Sequence, residues 1–273
     1  MSEADAIARS ADRGPATVAT LVEDLRALGA TEGQTLIVHT SLSRLGWVAG
    51  GPVAVIEALI TVLGDAGTLV MPTHTTGLTD PSGWSNPPVP ESWWEAIRAA
   101  MPVFDPATTP ADKMGAVAEA FRRYPDTARS NHPVASFAAR GPLAGSITAP
   151  HPLEDAFGDG SPLGRLYAHQ ASILLLGVGH DNNTSLHLAE ARSSDRWRDQ
   201  GSPIFEGGRR IWRTYRERHH DSDGFATIAK SYAAEGGWFR EGRIGSGWAS
   251  LYPVRALVDF ATGWMVKNGA TDV

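Results

Sequence analysis

The sequence predicts an α/β fold: a central mixed β-sheet flanked by helices, with a small additional β-hairpin region near the C-terminal part. Three observations predict it. Strand-length apolar runs alternate with stretches of helical periodicity from residue 17 onward. The longest apolar runs, 171–176 and 68–71, fall far short of the ~20 residues a bilayer requires. Late in the chain, two extended segments straddle the turn Glu206-Gly207-Gly208-Arg209.

Residues 1–15 open acidic (Met1-Ser2-Glu3-Ala4-Asp5) with no apolar run. They are expected to form a disordered tail rather than a secretory signal, with 16–273 as a single domain. Val18, Leu21, Val22, Leu25 and Leu28 recur at helical spacing between Thr17 as N-cap and Gly29 as stop, so 17–28 is a helix. A buried strand follows at 35–39. The polar loop Thr40-Ser41-Leu42-Ser43-Arg44-Leu45-Gly46 leads to Gly50-Gly51-Pro52, where proline suits the first turn of a helix running to about Leu63. A second strand occupies 67–71. Ligand loops gather at the carboxyl ends of such strands. Residues 77–90 carry Gly, Pro, Ser and Asn without periodicity, with Trp84 inside and Trp93-Trp94 beyond, and read as a long surface loop. Helix is expected at 111–123, stopped by Pro125, and strand at 135–139 and 172–176. A short helix at 184–192, a hairpin of 203–205 with 210–215, and helices at 225–234 and 254–267 complete the chain.

Of the 273 residues, 42% are hydrophobic and 20% charged, a balance that supports a packed core. There is no cysteine, which excludes a disulfide framework, a thiolate zinc site and a cysteine nucleophile together. An acyl transfer in this chain is therefore direct or passes through a hydroxyl. A net charge of −6 argues against nucleic acid, which calls for a basic face, and is compatible with a cationic small molecule. With neither span nor signal, a cytoplasmic bacterial protein, monomer or homodimer, is expected, with no membrane partner.

The densest constellation is Gly177-Val178-Gly179-His180-Asp181-Asn182-Asn183-Thr184-Ser185-Leu186-His187-Leu188-Ala189-Glu190. A strand ends in two glycines and a helix begins near Thr184. His187 and Glu190, three apart, share a helix face, where a carboxylate can fix the imidazole tautomer and stabilise its protonated form. Spacing alone leaves three readings open: a proton-handling pair, a satisfied core histidine, and half of a metal site. The 40–46 loop before a helix could cradle a phosphate on free N–H groups or be an ordinary turn. It is neither a Walker nor a dinucleotide sequence. Lys113-Met114-Gly115 and Arg129-Ser130-Asn131-His132-Pro133-Val134-Ala135-Ser136-Phe137 set cations and small polar groups before a strand, which suits a phosphate-bearing ligand or a solvated loop. His219-His220-Asp221-Ser222-Asp223 reads as a surface turn, or as a metal or ligand cluster.

Taken in order, several segments resemble the aminoglycoside 3-N-acetyltransferase family, whose fold is distinct from the GNAT acetyltransferases. These are His39-Thr40-Ser41-Leu42-Ser43 with Gly46 and Gly50-Gly51-Pro52, Gly67-Thr68-Leu69-Val70-Met71-Pro72-Thr73, and Phe104-Asp105-Pro106-Ala107-Thr108-Thr109-Pro110 with Met114-Gly115. Arg129-Ser130-Asn131-His132-Pro133, His151-Pro152-Leu153 with Ser161-Pro162-Leu163, and the spaced set Asp181, Thr184, His187, Glu190 follow. The likeness runs from about Leu21 to Trp264. It implies acetyl-CoA as donor, no metal, and an aminoglycoside-type acceptor acetylated on the 3-amino group of its deoxystreptamine ring. It implies His187 as general base, supported by Glu190 and Asp181. CoA is expected at Ser41, Leu42, Ser43, Gly46, Thr73, Met114, Arg129, His132 and Ser136. The cationic acceptor is expected at the carboxylates Asp181, Glu190, Glu154 and Asp221. Backbone N–H groups of the 40–43 loop or the Thr73 hydroxyl are candidates for holding the oxyanion. His180, beside the motif, departs from the family pattern, and the 77–90 loop does not align with it. Other readings are acetyl transfer to another amine and a metal-dependent hydrolase built on His187 and Glu190, though no His-Glu-x-x-His sequence occurs.

Overall fold

In the computed structural model, which describes residues 3–268, the chain begins α1 (Glu3–Arg9), α2 (Val18–Leu28), β1 (Thr35–Thr40), α3 (Gly51–Leu63), β2 (Thr68–Pro72) and α4 (Trp94–Ala100). It continues α5 (Gly115–Phe121), β3 (Ala128–Arg129), β4 (Phe137–Arg140), α6 (Ala144–Thr148), α7 (Pro162–Ala168), β5 (Ser172–Leu176) and α8 (His187–Ser193). It closes with β6 (Trp197–Glu206), β7 (Arg209–Arg218), α9 (Phe225–Ala234), β8 (Arg240–Ile244), β9 (Gly247–Pro253) and α10 (Val254–Asn268). Seven strands form one sheet in the order β3-β4-β2-β1-β5-β9-β8, while β6 and β7 pair only with each other. β1 lies parallel to both neighbours, β2 and β5, and the other pairings are antiparallel. The sheet is mixed and the hairpin separate, as the sequence predicts.

The central strands read as continuous apolar runs because both faces are covered. Leu36, Val38, Leu69, Met71, Leu174 and Leu176 pack with α2, α3 and α5 on one face. Ile37, Val70, Ile173 and Leu175 pack with α6 to α10 on the other. Each fully buried Leu or Ile contributes about 1.5–3 kcal/mol from leaving water. Local chemistry sets the ends. Thr17 and Thr20 make a reciprocal capping box at the start of α2, and Gly29 at φ 107° closes it in the left-handed region. Pro52 stands in the first turn of α3.

Two expectations need correction. Residues 3–9 are helix α1 and not a disordered tail. The helix buries none of its own side chains, so it carries no apolar stripe to read. Polar contacts hold it instead: Trp47 Nε1 donates to Glu3 Oε1 at 3.1 Å, and the buried Ser10 Oγ accepts the Trp47 N–H at 2.7 Å. The 77–90 segment is a chain of short turns anchored on the hairpin. Ser202 Oγ donates to the Leu78 carbonyl and Asp80 N–H to Gln200 Oε1, while Leu78 packs with Met101 and Phe104. The short elements α4, α6 and α7 and the strands β3, β8 and β9 escaped the sequence reading. β8 is Arg240-Glu241-Gly242-Arg243-Ile244, a charged edge strand whose buried neighbour is β9.

Candidate active site

β1, β2 and β5 end side by side, and a cleft of about 1140 Å³ opens at their carboxyl ends. His39 and Thr40 from β1, Pro72 and His74 from β2 and Gly177–Gly179 after β5 line it. The turn 41–44, Gly46, Gly51 at the start of α3, Lys113 and Met114 form one flank. Asp181, Thr184 and His187 form the other. The turn after β1 is tied to β5: Ser41 N–H donates to the Leu176 carbonyl at 2.9 Å. Gly177 follows at φ +68°, and a Cβ there would lie 2.6 Å from Arg44 Cβ and 3.2 Å from the Ser41 carbonyl. Gly177→Ala is therefore expected to destabilise the protein by about 1–3 kcal/mol and to push the 41–44 turn into the cleft. Denaturant unfolding and a CoA titration would show both effects.

His187 opens α8 after a tight turn at Thr184–Leu186, whose Ser185 N–H is capped by Asn183 Oδ1 at 3.2 Å. One helical turn aligns His187 Nδ1 with Glu190 Oε2 at 2.5 Å. Glu190 Oε1 accepts the Asp221 N–H at 2.9 Å. Burial opposes ionisation of this carboxyl, but the hydrogen bonds from His187 and the Asp221 N–H, with His220 close by, outweigh it and hold its pKa at about 2. An ionised Glu190 only accepts, so His187 carries its proton on Nδ1 and presents the Nε2 lone pair to the cleft. Phe157 stacks on the imidazole at 5.0 Å and Phe225 meets it edge-on at 5.0 Å, fixing the ring plane.

The other histidines of the region are kept uncharged. Burial lowers His39 to about 3, with repulsion from His180 and His187 adding to it, and burial likewise holds His74 well below the ordinary range. Both line the cleft, and their Nε2 atoms are buried without a partner among the described residues. His180 does not line the cleft. Its Nδ1 meets Asn183 Nδ2 at 3.2 Å, its ring packs edge-on to Tyr252 at 4.7 Å, and burial lowers it to about 4. Among the expected residues, Ser41, Leu42, Ser43, Gly46, Met114, Asp181 and His187 come together on the cleft, with Glu190 directly behind His187.

Four expected CoA contacts lie elsewhere. Thr73, His132 and Ser136 are fully buried, and Arg129 reaches Thr73 and Ser136 from β3. Arg129 Nε donates to Thr73 Oγ1 and Ser136 Oγ, both at 3.1 Å, and its Nη2 to the Thr73 carbonyl at 2.7 Å. His132 Nδ1 accepts the N–H groups of Val134 and Ala135 at 3.1 and 2.9 Å. These side chains spend their polar atoms bracing the β2–β4 edge rather than facing a ligand. Glu154 is exposed and away from the cleft. Asp221 touches the pair through its backbone, with its carboxylate receiving the Asp223 N–H at 2.9 Å. Asp181 stands exposed on the cleft and makes no hydrogen bond to His187 or Glu190. His39, His74 and Arg44 were not assigned from sequence, and Lys113 only as a cation that suits a phosphate-bearing ligand. Their signal was position: His39 stands near the end of β1, His74 just after β2, and Arg44 and Lys113 two residues before the motif glycines Gly46 and Gly115.

His187, Glu190 and His220 place ligand atoms within 4.8 Å of one another, giving the third member that a metal site would need. The 2.5 Å separation of His187 Nδ1 and Glu190 Oε2 is nevertheless that of a hydrogen bond. Two ligands on one tetrahedral zinc would stand about 3.3 Å apart.

An α/β sheet whose parallel core ends at a cleft holding a carboxylate-bonded imidazole is the architecture of an α/β enzyme. Comparison with known proteins is more specific. The family described as aminoglycoside 3-N-acetyltransferase matches residues 37–266, and the chain belongs to it. The SPbeta prophage-derived aminoglycoside N(3')-acetyltransferase-like protein YokD of Bacillus subtilis (strain 168) is 42% identical, with 95% of this chain and 96% of YokD aligned. Its crystal structure superposes with a TM-score of 0.92 over the same shares. Aminoglycoside N(3)-acetyltransferase VII of Streptomyces paromomycinus is 39% identical over 93% of each chain. Two ligand-bound structures are also similar. AAC-IIIb in binary complex with CoASH has a TM-score of 0.81 at 32% identity, covering 93% of this chain and 97% of its own. AAC-VIa bound to sisomicin has 0.83 at 31%, covering 93% and 98%.

Proposed function

We propose that this chain transfers the acetyl group of acetyl-CoA to the 3-amino group of an aminoglycoside's deoxystreptamine ring, with His187 as general base. The observation that carries the reading is the His187 Nδ1–Glu190 Oε2 hydrogen bond at 2.5 Å, which leaves Nε2 for the cleft. The relatives bound to CoASH and to sisomicin support the two substrates. Ser41, Leu42, Ser43, Gly46 and Met114 hold CoA. Arg44 and Lys113, which line the same cleft, offer cations to its phosphates. Asp181, a carboxylate on the far flank, faces the cationic acceptor.

His187 Nε2 takes a proton from the attacking nitrogen as the C–N bond forms on the thioester carbon. Collapse of the tetrahedral adduct breaks the C–S bond, and the imidazolium returns that proton to the departing sulfur. Glu190, already ionised, offsets the charge that His187 gains in between. The step needs no metal. Among the described residues no helix is long and apolar enough to cross a membrane; the need for acetyl-CoA as donor supports a reaction in the bacterial cytoplasm.

A free-thiol assay across gentamicin-like, kanamycin-like and neomycin-like acceptors tests the reading. CoA release dependent on these acceptors, with mass addition at the 3-amino group, is the expected result. Release only with simpler amines would move the same chemistry to another acceptor. Absence of release with every amine would refute acetyl transfer.

A further inference from the structure

The paired histidines of residues 219–220 look alike in sequence but have different fates in the fold. His219 is exposed, whereas the His220 side chain is 8% exposed and turned inward. Its ring meets His187 at 5.0 Å and Phe157 at 4.8 Å, both edge-on. Its Nδ1 lies 3.4 Å from Glu190 Oε2, the same oxygen that accepts from His187, a polar contact whose angle falls short of a hydrogen bond. Asp221, the next residue, gives its N–H to Glu190 Oε1. Two consecutive residues of one loop therefore address both oxygens of the carboxylate. His220 is not on the cleft wall, so it reaches the reaction through Glu190 and through the His187 ring it packs against.

We propose that His220 is a positioning residue for acetyl transfer: with the Asp221 N–H it fixes the Glu190 carboxylate so that Oε2 points at His187 Nδ1. A glutamate side chain has three rotatable torsions, and within α8 only the His187 contact to Oε2 holds it, so the carboxylate can still turn about that contact. Misplacing a catalytic group by about 1 Å can cost ~10²-fold in rate. His220 supplies the constraint without adding charge. Burial lowers its pKa in spite of the facing carboxylates Glu190 and Glu217, and proximity to His187 lowers it further. Glu217 is itself paired to Arg198 at 2.9 Å. A neutral donor leaves the full charge of Glu190 to answer the imidazolium formed at His187. A cation at 220 would compete for it.

The proposal rests on His187 being the base, and the test separates the two. The kcat, the KM for acetyl-CoA, the pH–rate profile and the Tm are measured for His220→Phe and His220→Gln. Phenylalanine keeps a ring against His187 and Phe157 but removes the donor; glutamine keeps a donor. His220→Phe is expected to lose about tenfold in kcat, the scale of a lost polar contact to a charged group. Its KM for acetyl-CoA should hold. The acid limb of its profile should move to higher pH, because a carboxylate relieved of one donor holds the imidazolium more strongly. His220→Gln should recover most of the rate. Wild-type kcat in His220→Phe overturns the proposal. So does an equal loss in both variants that follows Tm with the acid limb unmoved. If His187→Ala keeps full turnover, the base reading falls and takes this proposal with it, whatever His220→Phe shows.

Discussion

His187→Ala lowers turnover by about 10²–10⁴-fold, the range for a positioned acid/base group, while CoA binding stays near wild type. The imidazole is one wall of the cleft, and the proposed CoA contacts, at 41–46 and Met114, lie on the other flank. Removing it takes away the proton acceptor and leaves the donor site standing. Steady-state kcat with an aminoglycoside acceptor, set beside a CoA titration, separates the two effects. His180→Ala is the control. That ring lies off the cleft against Tyr252 and Asn183, and burial keeps it uncharged, with a pKa of about 4. It has no charge to lose on mutation and no carboxylate partner, so a small effect on kcat is expected. A His187→Ala enzyme with full activity would end the base assignment, and a His180→Ala enzyme as impaired as His187→Ala would move it.

What sets His187 apart from its neighbours is a matter of competing electrostatics. His39, His74, His132, His151, His180 and His220 are all driven toward the neutral form by burial. Desolvation disfavours the charged state of each, and only a nearby anion can reverse that. Glu190 is that anion, and its shortest contact goes to His187. The site therefore concentrates many imidazoles around one carboxylate, and His187 is the ring hydrogen-bonded to it. Neutral rings at His39 and His74 also keep the cleft floor from repelling a cationic acceptor.

The fold was legible where burial imposes a period. The helix over Val18–Leu28, the strands Thr35–Thr40 and Ser172–Leu176 and the helix Phe225–Ala234 stand within a residue or two of expectation. It was illegible where polar contacts decide, as in α1, which is held by Glu3 and Ser10. In the site, the pair His187–Glu190 could be read because three-residue spacing on a helix is itself a geometric statement. The fate of Arg129 could not. An arginine before a strand looks the same in sequence whether it faces a phosphate or turns inward, and here Thr73 and Ser136 offer it buried acceptors. Burial lowers the Arg129 pKa to about 10, yet its hydrogen-bond partners keep it in place. His220 was obscured for the opposite reason: a polar loop in sequence folds its middle residue into an aromatic pocket that distant segments supply.

Glu190→Gln is expected to cost about as much as loss of the base itself, roughly 10²–10⁴-fold in kcat, although it changes one atom. The carboxylate offers two acceptor oxygens, and both are used: Oε1 takes the Asp221 N–H and Oε2 takes His187 Nδ1–H. An amide has one oxygen and one donor. If its oxygen turns to His187, its NH₂ confronts the Asp221 N–H, donor against donor, at a buried position. If its oxygen serves Asp221, the NH₂ faces Nδ1, which must then accept; the imidazole proton shifts to Nε2 and the lone pair that receives the substrate proton is gone. Either arrangement disables the pair. The same substitution carries a pH signature in stability. The folded-state pKa of Glu190 lies at about 2, below its ordinary 4.5. Its contribution is thus fully present above the unfolded value and is lost as pH falls through the folded one. The Tm gap between wild type and Glu190→Gln should be largest near neutral pH and should narrow as pH drops from about 4.5 toward 2. A gap that stays constant across that range would mean that Glu190 is not ionised in the folded protein. His187 would then lack the anion on which its role as base depends.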